Sequence, residues 1–172
     1  TLRGAIAPHI DFHRGGPAYA WAYREVAERC PADVFVIFGT CHAGMGDPFA
    51  LTRKDYDTPL GPVPVDRELV ERLTARAGQD CFASELAHRT EHSIEFQAVF
   101  LQYLFGGRRE VSIVPVLSSF VHEALVVQDV ADLTEAHRVG VMRHLEHALL
   151  GALKQLARVA LALGHRNLNV VA

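Results

Sequence analysis

The sequence predicts an α/β fold: a mainly parallel sheet flanked by helices in three layers. Three observations predict it. Two apolar runs, at 4–8 and 34–39, each lead within a few residues to a histidine, His9 directly after Pro8 and His42 directly after Cys41. The second run, Val34-Phe35-Val36-Ile37-Phe38, is continuous rather than alternating, as in a parallel strand covered on both faces. Segments of helical period separate the apolar runs, giving the order strand, helix, strand, helix, helix, strand, helix, strand.

In chain order, residues 2–8 read as the first strand. Pro17 is expected in the first turn of a helix, where its missing N–H costs nothing. Ala18, Trp21, Ala22 and Val26 give residues 17–29 one apolar face, and Cys30-Pro31 ends the helix. Residues 33–39 are the second strand. The stretch 43–60 is rich in loop residues, with a short strand at 49–52. Thr58-Pro59-Leu60-Gly61-Pro62-Val63-Pro64 cannot be helical, because each proline also restricts the residue before it. Asp66 is a suitable N-cap for a helix whose apolar face is Leu69, Val70 and Leu73, stopped at Gly78. Residues 91–105 read as a third helix through Ile94, Ala98, Leu101 and Phe105, closed by Gly106-Gly107. Residues 110–117 form a strand whose Pro115 suggests its end. The stretch 118–138 shows no clear period and is expected to be irregular and mobile. Residues 140–164 carry the longest helical pattern, and 168–172 begin a new strand.

At 172 residues the chain fits one domain, residues 1–172, with enough length to bury a core. It enters a strand directly after Thr1 and stops one strand into its next unit, so it is expected to be a portion of a larger domain. The net charge of −3 and the scattered Lys and Arg residues argue against nucleic acid and acidic membrane surfaces as partners. No apolar run reaches the length of a membrane span. Cys30, Cys41 and Cys81 are odd in number, widely spaced and without a CxxC pair. That pattern excludes a disulfide framework and points to a reducing, cytoplasmic compartment. A small molecule or a peptide remains as partner. A sheet edge left open at the last strand would also invite association into a homo-oligomer.

In open α/β sheets the ligand crevice lies outside the carboxyl ends of the strands. His9 and His42, delivered to that edge by two strands, are candidate metal ligands, since neutral imidazole suits iron, copper and zinc. The alternative is that each caps the strand edge through a backbone hydrogen bond. Asp11 is placed to orient His9 as an outer-shell carboxylate, or to cap the following helix. His13 is a candidate catalytic or substrate-binding group on the same loop. Cys41 is either a soft ligand or nucleophile, or a small buried residue beside a strand end. In Glu91-His92-Ser93-Ile94-Glu95, His92 would face the pocket from a helix start, with Glu95 one turn later on the same side. His92 there suits general acid/base work or a hydrogen bond to an anion. Glu85, His88, His92 and Glu95 share a helical spacing, but a carboxylate-bridged di-metal motif needs a second copy in an all-helical bundle. Walker, dinucleotide and GxSxG signatures are absent from the sequence.

With those residues in view, the chain resembles the Memo family, whose fold is similar to the catalytic subunit of extradiol ring-cleaving dioxygenases. The matching pieces are Ile6-Ala7-Pro8-His9, Gly39-Thr40-Cys41-His42, Tyr56-Asp57-Thr58-Pro59-Leu60-Gly61, Glu91-His92-Ser93-Ile94-Glu95 and Ile113-Val114-Pro115-Val116-Leu117, in the family's order. The resemblance implies a mononuclear site with His9 and His42 as ligands of Fe(II) or copper and His92 as the pocket histidine. Three departures accompany it. The usual Pro-His-Ala-Gly-Tyr is Pro8-His9-Ile10-Asp11-Phe12 here, and the usual Gly-Pro-Ser-His-His is Gly39-Thr40-Cys41-His42-Ala43. The family's later Asp-x-x-His segment and its Cys ligand would fall after Ala172, so a third ligand is expected beyond this chain. The function expected is that of a metal-dependent, dioxygenase-like oxidoreductase. The alternatives are a binding module that takes a peptide or anion in the same pocket, and a zinc-dependent hydrolase.

Overall fold

The computed structural model describes residues 2–77, 79–119 and 168–171. Its strands are β1 (Gly4–Ala5), β2 (Val34–Thr40), β3 (Phe49–Leu51), β4 (Tyr56–Thr58), β5 (Gly61–Val63), β6 (Ser112–Ser118) and β7 (Leu168–Val171). Its helices are α1 (Phe12–Arg29), α2 (Arg67–Ala77) and α3 (Glu95–Phe105), with a short 3-10 helix at Glu85–Arg89. Five strands form one mixed sheet in the order β1-β7-β2-β6-β3, and β4 and β5 make a separate hairpin. The pairs β1/β7, β7/β2 and β2/β6 are parallel, while β3 runs antiparallel to β6. The chain is thus α/β, as its sequence predicts.

β2 and β6 carry the core. Phe35, Ile37, Ile113 and Leu117 are fully buried, as the continuous apolar runs require. Pro115 does not end β6 but sits within it, opposite Ile37. The reason lies in the register. Ile113 bonds away from β2, to Pro64 and Asp66, and β3 does not begin until Val116. By alternation Pro115 faces the gap between these two partners, where no N–H is needed.

α1 begins five residues before the expected Pro17. Asp11 is its N-cap, accepting from Arg14 N at 3.1 Å. Pro17 therefore lies in the second turn, with no N–H to offer the His13 carbonyl. The buried face also differs from the expected one. Gly15, Tyr19, Tyr23 and Val26 are buried, and Trp21 is exposed. Tyr19 and Tyr23 stack on Phe100 of α3 at 4.6 and 4.9 Å, so large amphipathic rings rather than alanines seat the helix. A Cβ at Gly15 would come within 2.5 Å of Ile10 Cγ2, which explains glycine at that close approach.

α2 is capped by Asp66, whose carboxylate accepts from Leu69 N at 2.9 Å, as expected. α3 begins at Glu95, later than the expected residue 91, so His92 sits in the turn that feeds the helix. The Pro-rich stretch forms the β4/β5 hairpin, with Gly61 at φ +116 opening β5 directly after the turn.

The last strand, β7, lies between β1 and β2 with parallel partners on both sides. The expected irregular stretch 118–138, apart from Ser118 and Ser119, and the helical pattern at 140–164 lie outside the described residues. No helix among the described residues is long and apolar enough to cross a membrane.

Candidate metal centre

The carboxyl ends of β1 and β2 share one edge of the sheet because both strands run parallel to β7. β2 ends at Thr40, Cys41 turns inward with 1% exposure, and His42 follows on the surface. A tight turn closes behind it through Gly44 N to Cys41 O, with Gly44 at φ +71. His9 follows Pro8, whose carbonyl accepts from Gln97 Nε2 at 2.9 Å. His92 arrives from the turn before α3. That turn lies against β2: Ser93 Oγ donates to Thr40 O at 3.0 Å, and a Cβ on Gly39 would come within 2.5 Å of Ser93 Oγ and Ile94 Cγ1. Gly39 permits the close approach.

Three imidazoles converge here. Ring centroids are 5.1 Å apart for His9 and His42, 4.8 Å for His42 and His92, and 6.1 Å for His9 and His92. His42 and His92 stack at 15°. Beneath them lies Glu91, a residue that sequence reasoning gave no role. Its side chain is 5% exposed, against 44% for His42 and 43% for His92. Oε1 lies 2.9 Å from His42 Nδ1 and accepts from His92 N at 2.8 Å and Ser93 N at 3.0 Å. Oε2 accepts from His42 N at 2.7 Å. Potential ligand atoms of His42, Glu91 and His92 all lie within 4.8 Å of one another. The donor chemistry fits a first-row metal ion: imidazole nitrogens beside a carboxylate, on a partly exposed floor.

Charge supports the same description. Burial, then the neighbouring His42 and His92, lowers the pKa of His9 despite an opposing pull from Glu91, so its ring favours the neutral form that a metal requires. Burial alone would raise the Glu91 carboxyl. The His42 backbone N–H, the His42 ring and Ser93 N–H reverse that effect and hold it at about 2, against its ordinary 4.5. A carboxyl lowered on folding adds stability above its unfolded pKa and loses it as pH falls through the folded one. The metal-free protein should therefore lose on the order of 3 kcal/mol of stability between about pH 5 and pH 2 from this group. Urea unfolding across that range, compared with Glu91→Gln, checks it; equal acid sensitivity in both proteins would count against the assignment.

Of the other expected site residues, Asp11 and His13 belong to the start of α1, while Cys41 and Glu95 adjoin the centre. Asp11 caps α1 and its Oδ2 takes the Arg14 Nε at 2.6 Å, so its carboxylate is engaged away from His9. His13 is exposed in the first turn of α1, outside the three-ring cluster. Burial, then Glu91, pushes the Cys41 thiol up, and Sγ donates to Gly44 O at 3.5 Å, an environment for a neutral thiol. Glu95 is exposed on the first turn of α3 and borders a neighbouring cavity of about 580 Å³. Tyr56, Glu85, His88 and Glu91 also line that cavity, so Glu91 stands between it and the histidines. His88 Nε2 lies 3.0 Å from Ala50 O and its Nδ1 2.9 Å from Tyr56 Oη. Glu85 accepts from Thr52 Oγ1 and Arg53 N. Those bonds account for the helically spaced Glu85 and His88 without a second metal.

Gln97, 4% exposed, ties the centre together. It accepts from Tyr23 Oη at 2.8 Å and donates to Pro8 O and Ser93 O at 2.9 and 3.2 Å. The only signal for it in the sequence is a polar residue at a core position of α3.

Residues 1–138 match the Memo family, described as Memo-like protein. A MEMO1 family protein of Methanococcoides burtonii is 39% identical over 125 residues, covering 73% of this chain and 44% of that protein. MEMO1 family proteins of Pyrobaculum aerophilum and Thermotoga neapolitana are 43% and 41% identical over 117 and 116 residues, each covering 66% of this chain and 40% of the relative. The chain thus spans less than half the length of these curated relatives.

Proposed function

This chain belongs to the Memo-like protein family, and from that premise we propose that its converging histidines form the centre of a metal-dependent, dioxygenase-like oxidoreductase. The carrying observation is the approach of His9, His42 and His92 from three separate segments to one sheet edge. On this reading His9 and His42 hold Fe(II) or copper, and the remaining protein ligand comes from sequence beyond Ala172. The bound ion supplies Lewis acidity and one-electron redox chemistry. His92, stacked on His42 and two-fifths exposed, holds or moves a proton at its ring nitrogen beside the substrate. Burial lowers the His9 pKa and so favours its neutral form, and Glu91 secures the loop that carries His42. The reading also includes a mainly parallel sheet covered in three layers, within a larger Memo-like domain.

One observation favours a second reading. His42, Glu91 and His92 bring potential ligand atoms within 4.8 Å of one another, so the ion could sit between these three instead. A single experiment separates the two. Full-length His92→Ala, purified anaerobically, is expected to keep its iron or copper and to lose turnover. Loss of the metal with the ring would assign His92 as a ligand and favour the second arrangement. Zinc as the native ion, with hydrolysis in place of oxidation, would overturn the oxidoreductase reading.

A further inference from the structure

We infer that Glu91 is a positioning residue that locks His42 in its Nδ1–H tautomer and so presents the Nε2 lone pair outward. The claim concerns the protein itself; its consequence for metal binding rests on the reading above.

Glu91 Oε2 accepts the backbone N–H of His42 at 2.7 Å. Oε1 accepts the backbone N–H groups of His92 and Ser93 at 2.8 and 3.0 Å. A carboxylate receiving three such donors is the ionised, acceptor-only form. His42 Nδ1 stands 2.9 Å from Oε1 and 3.1 Å from Oε2. Facing an acceptor at those distances, Nδ1 must carry the proton, because a lone pair there would meet the negative oxygens head on. The neutral ring then has its lone pair on Nε2, on the side away from Glu91. His92 Nδ1 lies farther off, 3.3 Å from Oε1. His42 Nδ1 and the three amides make the short contacts on both oxygens, so Glu91 is better suited to orienting a ligand than to being one. That is the outer-shell arrangement that fixes a metal-binding imidazole. Two of the acceptor's partners, His42 N and His92 N, belong to the stacked residues themselves. The same carboxylate therefore sets the spacing of the two segments as well as the state of one ring.

The test uses the 15N-labelled full-length protein without metal, at a pH where His42 is neutral. Long-range proton–nitrogen correlation spectra read the tautomer of each histidine. The expected result is a protonated Nδ1 and an unprotonated Nε2 for His42. In Glu91→Gln the amide NH₂ must face one of the four donors, and the preference is expected to weaken or reverse. In the same proteins, anaerobic Fe(II) titration against a competing chelator should show about 10–100-fold weaker binding for Glu91→Gln. A predominantly Nε2-protonated His42 in the wild type overturns the inference, whatever the iron affinity. An Nδ1-protonated His42 that shifts in Glu91→Gln sustains it, even if neither protein binds iron, an outcome that would count only against the metal reading. Because the decisive spectrum is that of the wild type, a variant that fails to fold does not shield the claim.

Discussion

Full-length protein carrying His42→Ala is expected to lose its metal, with affinity falling on the order of 100-fold or more, beyond the range typical of an outer-shell partner. His42 is the pivot of the cluster. Its ring is the nearest neighbour of both other rings, at 5.1 Å to His9 and 4.8 Å to His92. It is also the ring that Glu91 holds more closely, at 2.9 Å against 3.3 Å for His92. The substitution should leave the fold intact, because the bond from the residue 42 backbone N–H to Glu91 Oε2 uses no side-chain atom of residue 42. Metal per chain after dialysis against a chelator, together with circular dichroism, reads both halves of the expectation. A folded variant that keeps a full equivalent of metal would place the ion away from His42 and end the proposed centre.

Gln97→Leu is expected to be the most destabilising polar change in the described core. The glutamine accepts from Tyr23 and donates to Pro8 O and Ser93 O. Leucine fills a similar volume but removes all three side-chain bonds and leaves Tyr23 Oη only its longer contact, 3.4 Å, with the residue 97 carbonyl, in surroundings where Gln97 itself is 4% exposed. Each abandoned buried polar group costs about 1–3 kcal/mol, so a loss of about 3–5 kcal/mol is expected. For a chain of this size that is a fall in Tm of about 10 °C. Tyr23→Phe alone should cost about 1 kcal/mol. The double variant should cost less than the sum, since removing the Tyr23 hydroxyl also removes one of the groups whose short bond leucine breaks. Thermal unfolding of the four proteins closes the cycle. Strict additivity would show that the Tyr23–Gln97 bond does not hold α1 to α3.

The sequence by itself determined the fold class, the two central strands, the cap of α2 and the family. Each follows from local information: a continuous apolar run for a strand buried on both faces, an aspartate before an amphipathic stretch, and motifs kept in order along the chain. It also singled out His9 and His42, because histidines placed just past apolar runs fall at strand ends, and His92, because it precedes a stretch of helical period. Only the tertiary structure decided the rest. β7, distant in sequence, fills the slot between β1 and β2, and strand order across a sheet leaves no trace in hydrophobic period. α1 starts at Phe12 because Asp11 caps it, a competition between cap and proline that periodicity cannot weigh. Glu91 reads in sequence as one more surface carboxylate. It becomes the buried anchor of the centre because folding brings the His42 N–H and ring to it from a distant strand end. Gln97 likewise gains its meaning only once Tyr23 and Pro8 pack against it. Apolar burial is non-directional and leaves a periodic imprint on the chain, whereas a hydrogen bond is directional and needs its partner in place before either residue can be read.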